Sequence, residues 1–419
     1  MQTIKATFRI VTPMFIAGAD QQKAELRAPS IKGALRFWWR ALNWCAYKNT
    51  HGNDALDMLR NEEQRLFGSG AGGGGANGVG SFLLHVTSAH RLRATNGGNV
   101  HDQLKPTRTR QRNGRQVTDE THLAGARYLG YGVVVPFATN NGRRAGQLER
   151  SCLNDNQKFF IELVFKGRPD EQVIDALKLF GLLGGLGSRS RRGFGSIAIE
   201  EIEENGEIAW RAPTDKDSYI ETLRKMLKKS NCPHLPELSA FYKDSRIDVV
   251  LEGKGPYDVL DHFGLAMLDY RSWGRTVNGR RMPLPSGRMS EERFEDDHNW
   301  FRKENMGWRR RHPGFHPKRV VFGLPHNYDR DPIYHVIPEK HERRASPLLF
   351  HVHRLRGDLY LGVTIFLKSR FLPAGEKIRA GDSLVTQSIN WNYITDFIDG
   401  RIGNPPAARY RFSGKRNVL

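Results

Sequence analysis

The segment Leu183–Ile197, LGGLGSRSRRGFGSI, constrains the fold more than any other part of the chain. Three glycines, Gly184, Gly185 and Gly187, sit where an apolar helix should stop. Arg189, Arg191 and Arg192 follow, and Gly193, Phe194 and Gly195 open an expected strand. Glycine permits positive φ and lets a ligand approach the backbone closely. Arginine brings fixed charge and forked donors suited to phosphate, and a neighbouring phenylalanine offers a face for a base. That is the chemistry of a loop built to hold a nucleic-acid backbone. A dinucleotide-binding turn fits poorly, because its glycines follow a strand and open a helix. Here the order is reversed.

The length of 419 residues predicts two domains. A balance of 65 Lys+Arg against 45 Asp+Glu gives a formal charge of +20 and raises the expectation of a polyanionic partner. The three cysteines, Cys45, Cys152 and Cys232, are far apart and form no CxxC pair. Neither a zinc ribbon nor a disulfide scaffold is expected, and a reducing cytoplasm fits. No signal-peptide core occurs, and no apolar run nears the roughly 18 residues of a membrane span, so neither secretion nor membrane insertion is expected.

Period-two alternation predicts a strand over Thr3–Val11. Pro29-Ser30 then starts a helix, with Ser30 as N-cap, whose apolar face is Ile31, Ala34, Leu35, Trp38, Leu42 and Cys45. Lys32, Arg36 and Arg40 recur every four residues on a second, basic face. Further elements are expected as a helix over Asp54–Phe67 and strands over Ser81–Ser88 and Lys158–Lys166. A helix over Asp170–Leu183 and a strand over Phe194–Ile202 follow. The uncharged stretch 68–80 reads as a connector and the basic stretch 91–127 as an exposed insertion. The resulting β-α-β-β-α-β order is ferredoxin-like (RRM-like), with helices on one sheet face and the other face free to meet RNA. The second half predicts helices at Asp217–Ser230, Tyr257–Tyr270 and Trp391–Ile398 and strands at Arg246–Leu251 and Arg319–Phe322. A hairpin turns at Gly357-Asp358. The fold class expected is α+β, two domains (1–210 and 211–419) with large insertions.

Two segments together bring a family into view. ELRAPSIKGALRFWWRAL (Glu25–Leu42) and LGSRSRRGFGS (Leu186–Ser196) resemble the signatures of the RAMP proteins of CRISPR systems, and among these the first Cmr-type subunit of type III-B effector complexes. TPMFIAGAD (Thr12–Asp20), VVFGLP (Val320–Pro325) and RRASPL (Arg343–Leu348) resemble that subunit too. The resemblance implies two ferredoxin-like domains and a place near one end of a ribonucleoprotein that carries a CRISPR RNA. It implies contact with CRISPR RNA or target RNA towards the guide 3′ end, alongside other Cmr-type subunits. Catalysis in that family belongs to other subunits, so a non-catalytic role follows from the resemblance. No cofactor, membrane or small-molecule substrate is expected.

The residues expected to bind RNA are Arg27, Lys32, Arg36, Arg40, Gly187, Arg189, Arg191, Arg192 and Phe194. Within the loop, alternation implies that at least one arginine points inward and pins it. Phe194 either stacks a base or packs under the loop. No acid interleaves the basic helix face from Ser30 to Asn53, so intrahelical ion pairing does not explain it. Trp39 lies around the helix from the apolar face and is a second candidate for a partner or RNA. Lys105–Arg115 and Arg309–Arg311 beside Trp308 are further basic stretches. The alternative is a metal-independent endoribonuclease, which needs a base and an acid beside the 2′-OH. His51, His85, His122 and His262 are available, but no spacing pairs them. His351 and His353 share a strand face without a third metal ligand. A third reading is a purely structural end cap whose basic surface binds acidic neighbouring subunits.

Overall fold

The computed structural model describes the chain except residues 70–77, 96–103, 105–108, 113–114, 119–121, 137–143, 302–310, 329–330, 401–411 and 413–414. Most of the polyglycine stretch and Trp308–Arg310 therefore lie outside the described residues, as do 105–108 and 113–114 of the basic insertion, whose Thr109–Arg112 and Arg115–Thr118 pair as an antiparallel hairpin.

The first strand, β1 (Gln2–Ile10), buries Ile4, Ala6, Phe8 and Ile10 and turns Lys5 and Arg9 the other way. Helix α1 (Ala28–His51) follows. Its N-cap is the extended Arg27 rather than Ser30, because Pro29 sits inside the first turn, where its missing N–H costs nothing. Helix α2 (Ala55–Phe67) packs on α1, and β2 (Phe82–Thr87), β3 (Lys158–Phe165), α3 (Glu171–Leu183) and β4 (Ile197–Glu204) complete the series. Asp170 caps α3 by accepting from the Val173 N–H at 3.1 Å. A fifth strand, β5 (Glu207–Arg211), extends the sheet to the order β2-β3-β1-β4-β5, antiparallel throughout.

The second half repeats this connectivity. Helix α4 (Lys216–Leu227) leads to β6 (Arg246–Gly253), α5 (Pro256–Arg271), β7 (Leu348–Arg354), β8 (Tyr360–Phe366), α6 (Asn392–Asp399) and the two-residue β9 (Arg416–Asn417). The sheet order is β7-β8-β6-β9. In each half the second-numbered strand lies outermost and the first lies between the third and fourth. A separate four-stranded sheet of short strands (His326–Asn327, His335–Pro338, Lys377–Ala380, Ser383–Thr386) has its own small core around Val336, Ile378 and Val385. Arg319–Phe322, expected as a strand, lies in a 3₁₀ turn over Lys318–Phe322. A run this short and apolar carries no period that separates the two.

The hydrophobic core does not stop at the boundary between halves. One cluster runs from Ile4 and Phe8 through Trp38, Trp39 and Trp44 to Tyr219, Val249, Val363 and Ile365. Tyr219 is fully buried and donates its hydroxyl to the Leu182 carbonyl at 2.7 Å, joining α4 to the end of α3. Cys45 of α1 and Cys232 of the strap 228–245 form a disulfide, which corrects the expectation that the widely spaced cysteines build none. The partners are 187 residues apart in sequence, and only the fold brings them together.

The sheet face left free by the helices of the first half is not basic. It presents Glu162, Glu200, Glu201 and Glu203 with Lys5, Arg9 and Lys158. Arg9 and Lys158 both pair with Glu200, at 2.7 and 2.6 Å, and Lys5 with Glu203 at 3.8 Å. With its cations matched by carboxylates, this face attracts no phosphate backbone. Its aromatic, Phe160, already lies under the Lys5 ammonium at 5.0 Å.

Candidate nucleic-acid interface

The Gly/Arg loop between α3 and β4 is the seam between the halves, and its glycines serve packing first. Gly187 has φ +83°, and a Cβ there would lie 2.5 Å from the Phe15 carbonyl oxygen. Gly195 has φ +61°, and its Cβ would run into the Leu186 carbonyl. Such positions exclude side chains on both conformational and steric grounds. The loop hydrogen-bonds to the segment after β1 through Ser188 N–H to Phe15 O (2.7 Å) and Gly195 N–H to Pro13 O (2.9 Å). It meets the second half through Phe350 N–H to Arg191 O (3.0 Å) and Val352 N–H to Ser196 Oγ (3.1 Å). Thr12 closes the turn, donating to Gly193 O at 2.7 Å and accepting from the Ser196 N–H at 2.9 Å.

Phe194 settles one alternative. It is 0% exposed and meets Phe15 edge-on at 5.5 Å, so it packs under the loop and cannot stack a base. Arg191 points inward. It donates to the Ser346 carbonyl at 2.6 Å and lies 5.1 Å over the Phe37 ring, with burial pushing its pKa down to about 10. Both residues leave the expected RNA-binding set.

The basic face of α1 is also corrected in part. Arg36 and Arg40 reach across to Glu63 of α2, Arg40 at 2.6 Å, and Glu63 is 3% exposed. The absence of acids along α1 excluded intrahelical pairs but not this interhelical one. Lys32, half-buried, has its pKa lowered by desolvation and by Arg36. Arg27 lies 4.0 Å from Glu25 at an exposed site. Trp39 is fully buried between Phe67 and Tyr47 and faces no partner.

Arg189 and Arg192 behave differently. Arg189 adopts φ +65° and lays its guanidinium over the bare backbone of Gly132, next to the 63%-exposed ring of Tyr131. Desolvation, then Arg150 and further Arg343, lower its pKa. Burial pushes Arg192 down to about 10, and Arg271 and Arg189 add to the shift. Arg271, from the end of α5, has a buried Nε with no hydrogen-bond partner among the described residues. Among those residues no carboxylate within ion-pair distance accompanies Arg150, Arg189, Arg192, Arg271 or Arg343. Five cations from four stretches of chain are therefore gathered without a counter-ion. Arg150 and Arg343 are exposed, whereas Arg189, Arg192 and Arg271 are partly buried, and burying unpaired cations costs free energy unless an anion arrives. Arg150, Arg271, Arg343 and Tyr131 were not singled out as site residues from sequence. Of these, Arg271 opens the basic loop RSWGRTVNGRRMPLPSGR that follows the expected Tyr257–Tyr270 helix, and Arg343 lay in RRASPL.

Among the described residues no group of three His, Cys, Asp or Glu side chains converges as metal ligands, and no helix is long and apolar enough to cross a membrane. His351 and His353 touch each other at 3.3 Å and are fully enclosed, with the Tyr219 ring 4.4 Å from that of His353. Desolvation lowers His351 to about 3 and His353 well below its ordinary value, so both are neutral packing groups at pH 7.

With this geometry in hand, the chain has recognisable relatives. Residues 7–198 match the model of the RAMP superfamily. CRISPR system Cmr subunit Cmr1-2 of Pyrococcus furiosus is 24% identical over 199 residues, covering 46% of this chain and 93% of that protein. Subunit Cmr1-1 of the same organism is 25% identical over 389 residues, covering 89% of this chain and 87% of its own. The crystal structure of Cmr1 from Pyrococcus furiosus in its apo form shares the fold, with a TM-score of 0.51 at 20% identity, covering 100% of this chain and 99% of that one. Residues 7–198 thus match the RAMP superfamily, in a chain that is similar to subunit Cmr1-1 of Pyrococcus furiosus over most of its length and to subunit Cmr1-2 over about half of it.

Proposed function

We propose that this chain is a non-catalytic RNA-binding subunit of a type III-B (Cmr) CRISPR effector ribonucleoprotein, acting in the cytoplasm in antiviral defence. Its partners are CRISPR RNA, target RNA and other Cmr-type subunits, with contact towards the guide 3′ end. We read both halves as ferredoxin-like, which the repeated strand order supports. The observation that carries the RNA reading is the cluster Arg150, Arg189, Arg192, Arg271 and Arg343, gathered at the seam without a carboxylate. Its guanidiniums suit phosphates, and the exposed Tyr131 ring beside Arg189 offers a base a stacking face. Arg27 and Lys32 remain secondary contacts. Fluorescence anisotropy with a labelled single-stranded RNA across a salt series tests the reading: the log affinity should fall steeply with log salt.

One close pair bears on the endoribonuclease alternative. His326 Nδ1 lies 3.3 Å from the Tyr328 hydroxyl, and Arg271, Arg319 and Arg192 all act on His326. Burial first, and those three guanidiniums next, hold its pKa well below the ordinary value, too low for an efficient base at neutral pH. Incubating the chain with labelled repeat RNA in EDTA decides between the readings. Cleavage at one position, lost in His326→Ala, would establish the nuclease.

A further inference from the structure

A half-open cavity of about 320 Å³ lies where α1, α2 and the strap 228–245 meet. One wall is apolar, made by Leu56, Leu59 and Leu238, with Leu56 39% exposed. The rim is cationic, made by Arg36, Arg40 and Arg60. Glu63 forms the floor, and its Oε1 accepts from Arg36 Nε and Arg40 Nη1. Three guanidiniums against one carboxylate leave an excess of two positive charges. The strap wall is held in place, since Cys232 is bonded to Cys45 and the Phe241 N–H donates to Ala41 O at 3.0 Å.

We propose that this cavity docks a protein partner through a segment bearing one large apolar side chain flanked by carboxylates. The apolar side chain enters against the leucines, and the carboxylates meet Arg60 and the donors of Arg36 and Arg40 that Glu63 leaves unused. Buried apolar anchors inside a polar rim are the usual anatomy of an energetic hot spot. RNA is the poorer occupant. A phosphodiester brings no apolar group to the leucine wall, no lining residue offers an aromatic face, and the fixed carboxylate of Glu63 repels phosphate. The site differs from the seam cluster in its residues, and the proposal does not depend on the RNA reading.

The test uses the full chain labelled with ¹⁵N-arginine, titrated with acetyl-Glu-Leu-Glu-amide while the arginine Nε–H resonances are followed. We expect saturable shifts of Arg36, Arg40 and Arg60 with a Kd in the millimolar range, and silence with acetyl-Lys-Leu-Lys-amide. Leu56→Ser and Arg60→Glu, both at exposed positions of α2, should each weaken binding by about fivefold with an unchanged unfolding midpoint. No saturable shift by about 20 mM peptide, or equal binding by both variants, overturns the proposal. Saturation of the same resonances by oligo-uridine or inorganic phosphate would assign the cavity to nucleic acid and overturn it as well.

Discussion

Replacing Arg150, Arg189 and Arg343 together by glutamine separates phosphate contact from loop architecture, because these three have no structural hydrogen bond to lose among the described residues. Each phosphate neutralised on a single strand adds about 0.7 to the slope of log affinity against log salt. If all five seam cations meet phosphates, the slope is about −3.5, and raising salt from about 50 to about 200 mM weakens binding roughly 100-fold. Removing three leaves a slope of about −1.4, and the same change in salt weakens binding only about sevenfold. Arg191→Ala is the contrasting variant. It removes the donor to Ser346 O and the contact over Phe37, which costs about 1–3 kcal/mol of stability and leaves the slope unchanged. Anisotropy with a labelled oligonucleotide at several KCl concentrations reads the slopes, and thermal unfolding reads the stability. A triple variant with the wild-type slope would refute phosphate contact at the seam.

Four further outcomes are expected. Gly195→Ala, at positive φ with its Cβ driven into the Leu186 carbonyl, should cost about 2–3 kcal/mol in denaturant unfolding. Gly33→Ala, on a helical turn of α1 with nothing within 4 Å of its Cβ, should instead stabilise by up to about 1 kcal/mol. His351 has a folded pKa of about 3, below its unfolded value, so the unfolded chain binds the proton first. Its stability contribution is complete above about pH 6.5 and is lost as pH falls towards 3, roughly 2 kcal/mol by pH 5. The double variant His351→Gln/His353→Gln should flatten the acid limb of the unfolding midpoint. Cys45→Ser should remove the cross-link seen in non-reducing peptide mapping and cost up to roughly 5 kcal/mol on the loop-entropy account. A reductant should lower the wild-type midpoint but not that of Cys45→Ser.

Local pattern carried the elements well. Period-two alternation set β1, and the α1 stripe matched the face that helix buries, because burial on one side is what selects those residues. It failed where the determinant was distant. Trp39 sits off the α1 stripe yet is buried, since α2 covers a second side of that helix. Glu63, the partner of Arg36, is 27 residues away on another helix. The loop itself was legible as special but not as to which arginine does what. Arg189 at φ +65° breaks any simple alternation, so the inward residue could not be named in advance. Arg150, Arg271 and Arg343 are unremarkable singly, and only the seam makes them one electrostatic object.

The central claim is that RNA lies against the seam arginines and Tyr131. The direct measurement is photo-crosslinking of 4-thiouridine RNA to the chain within an assembled effector complex, mapped by mass spectrometry. Crosslinks should fall on Tyr131 and on the peptide Gly187–Arg192. Crosslinks confined to the open sheet face around Phe160, or to protein neighbours alone at the seam, would contradict it.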